Sequence, residues 1–352
     1  MIQALAKELQ IRNKDLENET IETIYFGGGT PSLLSFEEIK LLLDAICFNY
    51  KVVEKPEITL EANPDDLKED QIKKLADTKI NRLSIGIQSF FDDDLKAMNR
   101  AHSAEEAKRS LSVATRYFDN ITIDLIYGIP TMSNARWTEN LQIAFDFGVN
   151  HISSYALTVE RKTALDTFIK KGKYPPIDEE KALKHFNILV EETEKKGFLQ
   201  YEISNFGKHD YFSKHNTSYW LGKSYLGIGP SAHSYNGTHR SWNVSNNAKY
   251  LKALQSDTIP QEIEVLTEKD RFNEKIMTGL RTIWGISLNE IEHNFGRDYH
   301  EHLLKSSEEF INQELLEIVT FSDSDNNNLE VLKITKSGKF LVDGIASELF
   351  MI

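Results

Sequence analysis

The chain has 352 residues, 40% of them hydrophobic and 27% charged, with a formal net charge of -13. That balance excludes a largely disordered chain, and the acidic excess opposes non-specific binding to nucleic acid or anionic lipid. No window approaches the roughly 18 apolar residues of a membrane span, the N-terminal MIQALAKELQ lacks a secretion signal's apolar core, and the lone Cys47 excludes an internal disulfide, so a cytoplasmic location is expected.

Short β-rich runs recur along the first half: 22-ETIYF-26, 57-EITLE-61, 82-RLSIGIQSF-90, 120-NITIDLIYGIP-130 and 150-NHISSYALTV-159. Helical patterns separate them, so the order reads as βα units on a parallel sheet. Such units are too few for a closed eight-stranded barrel and fit an α/β fold with a partial (β/α) barrel. Ser35 with Glu38 forms a capping-box pattern before FEEIKLLLDAI, Asp65 or Asp66 is placed to cap LKEDQIKKLADT, and Ser103 to cap AEEAKRSLSVATRYF. Cys47, within LLLDAICFNY, reads as a buried, inert thiol.

Polar residues gather where these strands finish. Gly27 to Gly29 end the first run, Glu61 the second and Gln88 the third, while Asp124 lies inside the fourth. In βα barrels the carboxyl ends of strands converge to make the binding face. The glycine run 24-IYFGGGTPS-32 permits positive φ and lets a ligand lie against bare backbone. It is neither the dinucleotide fingerprint nor a phosphate loop, since the third spaced glycine and the Lys-Ser/Thr pair are missing.

The stretch from about 170 to 260 is dense in Gly, Pro, Tyr, Asn and His and is expected to be irregular, laid over the barrel. From about 265 helical patterns return, then 315-LLEIVTF-321 and 329-LEVLKIT-335 flank the polar turn SDSDNNN. Helices followed by a hairpin suggest a small winged-helix-like domain.

The blocks YFGGGTPSLL, LEANPDDL, NRLSIGIQSF, LKAMNRAHS, IDLIYGIP, SSYALTVE, YEISNF, KHNTSYW, YLGIGPSAHS and TKSGKFLVDGI run nearly end to end. Together they resemble the radical S-adenosylmethionine (SAM) proteins of the oxygen-independent coproporphyrinogen III oxidase type, and within them the HemW-type haem chaperones. The resemblance implies a barrel core over 1–170, a barrel-covering segment with HNxxYW over 171–264 and a HemN-type helical, winged domain over 265–352. It implies that Gly28, Gly29 and Thr30 meet the methionine end of SAM, and that Glu61 and Gln88 bond its ribose or methionine part. Arg100, in MNRAH, is implied to face its carboxylate, with Asp124 carried over likewise.

The family also carries C-x-x-x-C-x-x-C, whose thiolates hold a [4Fe-4S] cluster; this chain has no such motif. The expectation is that a cluster segment and the first barrel strand precede Met1 in the full-length protein, leaving 22-ETIYF-26 at a sheet edge, and that the chain as given performs no radical chemistry. His215, in HNTSYW, is the implied haem ligand, with Tyr219 and Trp220 able to pack on a porphyrin; His233 and His209 are further candidates. Two functions remain open. One is binding haem and delivering it to acceptor proteins, membrane-associated respiratory proteins among them. The other is radical oxidative decarboxylation of coproporphyrinogen III. A winged-helix regulator fits poorly, given the acidic balance and a tail with no basic recognition helix.

Overall fold

The computed structural model describes residues 1–159, 161, 163–322 and 328–352, so the tip of the SDSDNNN turn lies outside the described residues. They form two compact units, one of Glu22–Ile39 and Lys55–Ser213, the other of Met1–Ile21, Lys40–Glu54 and Lys214–Ile352.

The first unit is built on β1 (Ile21–Phe26), β2 (Val52–Ala62), β3 (Arg82–Gln88), β4 (Asn120–Tyr127), β5 (His151–Ala156), β6 (Leu199–Glu202) and β7 (Asn205–Gly207). They make one curled sheet in the order β1-β2-β3-β4-β5-β7-β6, the partial α/β barrel expected. From β2 to β5 the pairing is parallel, setting Leu60 beside Leu83, Leu83 beside Ile121 and Ile123 beside Ile152. These side chains are at most 2% exposed. Helices Glu69–Ala76, Ala104–Tyr117, Asn134–Asp146 and Glu179–Lys195 bury Ile72, Leu111, Leu141 and Leu189 from their inner faces. Each such side chain contributes about 1.5–3 kcal/mol of burial.

The alternating residues face the other way and are mostly polar: Glu61 on β2, Ser84 on β3, Thr122 and Asp124 on β4, His151 and Ser153 on β5. Closed barrels fill that space with branched apolar side chains; here it is left for hydrogen bonding. At the strands' starting ends the buried Arg82 donates to Asn120 and Thr122, and His151 bonds Thr122 through Nδ1 at 3.1 Å and the Tyr201 hydroxyl through Nε2 at 2.7 Å. Burial, with Arg82 beside it, pushes the His151 pKa well below its usual value, so the ring stays neutral.

The short β7 pairs antiparallel to β5 and β6 antiparallel to β7, closing the sheet in a way the sequence reading had not anticipated. The stretch read as irregular is instead regular, holding helix Glu179–Lys195, β6 and β7, helix Lys214–Trp220, β8 (His233–Tyr235), β9 (His239–Asn243), helix Asn247–Gln255 and the start of β10 (Gln261–Val265). Its glycines and prolines punctuate short elements rather than dissolve them. Ser35 and Ser103 cap as expected, each exchanging bonds with the Glu three residues on. Neither Asp65 nor Asp66 caps a helix: the helix begins at Glu69 after Lys68, and Asp66 accepts from the Ser32 hydroxyl at 2.7 Å, pinning the loop after β1.

In the second unit β8, β9 and β10 pair antiparallel, as do β11 (Ile286–Ser287), β12 (Leu316–Ser322) and β13 (Asn328–Ile334) in the order β11-β13-β12. Helices Glu268–Leu280, Leu288–Phe295 and Arg297–Asn312 precede that hairpin, the helix-then-hairpin pattern anticipated for the tail. Helix Ile2–Ile11 packs on helix Asn247–Gln255 within this unit. Cys47 is exposed, contrary to expectation. Helix Phe36–Asn49 buries Ile39, Leu42 and Leu43, and Cys47 falls on the opposite stripe with Lys40, Asp44 and Phe48, all exposed. Among the described residues no helix is long and apolar enough to cross a membrane.

Candidate functional site

The first unit carries a cavity of about 180 Å³ whose lining includes Gly29, Thr30, Glu61, Ser84, Gln88 and Asp124. The loop after β1 and residues of β2, β3 and β4 supply it, so residues scattered over nearly a hundred positions meet. Of the predicted contacts, Gly29, Thr30, Glu61, Gln88 and Asp124 line the cavity, and Gly28 adjoins it by donating its N–H to Glu61 Oε2 at 3.2 Å.

The three glycines do different things. Gly28 and Gly29 hold φ of 72° and 67°, and a Cβ on either would meet nothing within 4 Å. Their need for glycine is conformational, and the space beside them is open to a ligand. Gly27 has no positive φ; a Cβ there would come within 2.6 Å of the Tyr25 ring. The space beside Gly28 and Gly29 is thus open, whereas Gly27 gives its space to the protein's own tyrosine.

Gln88 is the last residue of β3, where the pairing to β4 shifts register, and it takes φ of 65°. A non-glycine residue in that region costs about 1–3 kcal/mol and persists only where its surroundings enforce it. Here the Ile87 carbonyl accepts from the Ser89 N–H at 2.8 Å and from His102 Nε2 at 3.1 Å. His102 is 5% exposed and lies two residues after Arg100, so the MNRAH loop braces the residue before Gln88. Sequence reasoning passed over His102, although it stands in the same quoted block as Arg100.

Asp124 is set within β4, beside Glu61 across the cavity. Burial first, then the Glu61 charge, raise its pKa to about 7, while the Ser153 hydrogen bond and the Arg100 and Arg82 charges hold it down. Arg100 is exposed and not among the lining residues; it acts on the site through the field it exerts on Asp124. The set offers backbone N–H donors, two carboxylates, an amide and a nearby guanidinium. Such a set can pair with hydroxyl, ammonium and carboxylate groups. Clusters of three or more His, Cys, Asp or Glu side chains suited to a metal ion are absent among the described residues.

His215 belongs to the second unit, on helix Lys214–Trp220. Its ring meets Tyr219 edge-on at 4.9 Å; Tyr219 meets Tyr225 at 4.5 Å, and Tyr225 lies 6.1 Å from Tyr235. Burial lowers the His215 pKa to about 4, so the imidazole is neutral at physiological pH. Trp220 is occupied on one face by the Arg281 guanidinium, 5.1 Å from the ring centroid. Of the other histidines proposed, His233 packs 6.0 Å from Trp242 and His209 pairs with Asp210 in an exposed turn.

A profile of the Radical SAM superfamily matches residues 6–144, and one of the HemN C-terminal domain matches 266–319. The heme chaperone HemW of Lactococcus lactis is 34% identical over 316 residues, covering 90% of this chain and 82% of that protein. The heme chaperone HemW of Bacillus subtilis is also 34% identical, over 79% of this chain and 74% of that one. Among solved structures, Escherichia coli coproporphyrinogen III oxidase (HemN) aligns with a TM-score of 0.81 over 99% of this chain and 82% of its own, at 20% identity, a likeness of fold.

Proposed function

Since the chain belongs to the heme chaperone HemW family of radical SAM proteins, we propose that it binds haem through His215 and passes it to acceptor proteins, and that its barrel cavity receives S-adenosylmethionine. The observation that carries the second half is the meeting of Gly29, Thr30, Glu61, Gln88 and Asp124 around one cavity. The first half rests on the family and on a neutral imidazole set in an aromatic cluster.

The residues present suit SAM. In this reading the bare backbone at Gly28 to Thr30 takes the amino-acid end, Glu61 and Gln88 take hydroxyl or ammonium donors, and ionised Asp124 faces positive charge. When bound, SAM supplies a sulfonium cation joining methionine to adenosyl. The residues present do not suit the [4Fe-4S] cluster that the family implies: it needs three thiolates, and Cys47 is a lone, exposed cysteine.

We place this activity in the cytoplasm and take membrane-associated respiratory proteins as the acceptors to try first. The oxidase alternative draws on the HemN likeness, which is one of fold. Titrating the protein with haemin tests the reading. A Soret band shifted on binding and lost or displaced in His215→Ala is expected; an identical spectrum in both removes His215 as ligand, and no binding by the wild type removes the chaperone function.

A further inference from the structure

The side chain under the glycine turn, Tyr25, opens the block YFGGGTPSLL, but the resemblance implies no role for it. Tyr25 lies on β1 two residues before Gly27, with its ring on the inner, polar side of the sheet. Its hydroxyl donates to Glu61 Oε1 at 2.7 Å, while Glu61 Oε2 accepts from the Gly28 N–H at 3.2 Å. Ser84, which lines the cavity, hydrogen-bonds the phenol oxygen in turn. A Cβ at Gly27 would stand 2.6 Å and 2.9 Å from two ring carbons and 3.2 Å from Glu61 Oε1. Ring, turn and carboxylate therefore form one packed assembly.

We propose that Tyr25 is a positioning residue of the S-adenosylmethionine site, fixing the Glu61 carboxylate with its hydroxyl and supporting the glycine turn with its ring. The proposal rests on the reading of the cavity as a SAM site. A carboxylate has about four lone-pair directions; Tyr25 and Gly28 take one on each oxygen, so the remaining directions are fixed in space and available to ligand donors. Burial, and then the Glu61 charge, push the Tyr25 phenol well above its usual pKa, so it keeps its proton and donates throughout the working pH range. Glu61 cannot satisfy itself by turning away, since its other oxygen is held by the turn. Loss of the hydroxyl leaves the carboxylate held at one oxygen only, by Gly28, while the ring still fills the space under Gly27.

The test is a double-mutant cycle on SAM binding, measured by calorimetry with the wild type, Tyr25→Phe, Glu61→Gln and the double variant. Tyr25→Phe keeps the ring, and its melting curve reports whether it folds. We expect it to bind SAM about tenfold more weakly, the worth of one charge-assisted hydrogen bond. In the Glu61→Gln background the same change is expected to cost less than about twofold, because the group it positions has been altered. Unchanged affinity in Tyr25→Phe, or an equal loss in both backgrounds, overturns the proposal and leaves the cavity assignment standing. A wild type that fails to bind SAM overturns the assignment, and the proposal with it.

Discussion

Replacing Glu8 with alanine is expected to lower the stability of the second unit by about 3–5 kcal/mol, the cost of breaking a buried, hydrogen-bonded charge cluster. Glu8 is 0% exposed on a helix whose other face is wet. Its carboxylate accepts from the Gly229 N–H at 2.8 Å, from Asn243 Nδ2 at 2.7 Å and from the Tyr250 hydroxyl, with Arg12 at 3.4 Å. Arg12 itself is 5% exposed and keeps Asp15 at 2.7 Å and the Gly227 carbonyl at 3.1 Å. The loss therefore falls on the Gly229, Asn243 and Tyr250 donors, which are too buried to turn to water. Burial and the Glu8 bond push the Tyr250 phenol far above its usual pKa, which marks how dry the site is. Urea unfolding followed by circular dichroism measures the change. Glu8→Gln, which keeps the shape and part of the accepting capacity, is expected to lose about half as much. A loss under about 1 kcal/mol in Glu8→Ala would mean that the cluster barely outweighs its own desolvation.

Asp124 is expected to make SAM binding and stability respond to pH in opposite directions. Its pKa of about 7 stands above the usual carboxyl value of 3.8, so between those limits the folded protein holds a proton that the unfolded chain has released. Stability attributable to this group is thus full below about pH 4, declines as pH rises towards 7, and is level above it. A cationic ligand favours the ionised form, whose share grows about tenfold from pH 6 to pH 8 for a pKa near 7. Affinity for SAM should rise about tenfold over that interval in the wild type. In Asp124→Asn both slopes should flatten. Calorimetry at pH 6, 7 and 8 measures the first and denaturant midpoints at matched pH the second; a wild-type affinity flat across the interval would show that Asp124 does not face the ligand's charge.

Much of this arrangement was legible before any coordinates. Parallel strands interleaved with helices follow from local patterns, and the strand-end position of Glu61 and Gln88 follows from strand length alone. The capping boxes at Ser35 and Ser103 are local signals satisfied locally. Other features depend on what lies far away in sequence. Asp66 instead accepts from Ser32, across a loop, and the helix begins three residues further on. Cys47 sits among apolar letters, yet the helical period turns it outward. The roles of Tyr25 and His102 appear only when β1 and β2, or β3 and the following loop, are brought side by side. The antiparallel closure by β6 and β7 is set by strands too short to stand out from the polar run around them.

A crystal structure of the protein soaked with S-adenosylmethionine tests the account most directly. The amino-acid end is expected against the backbone of Gly28 to Thr30, donors of the ligand on Glu61 and Gln88, and Asp124 on the side of the sulfonium. A ligand bound elsewhere, with the strand-end cavity still holding only solvent at saturating concentration, would contradict it.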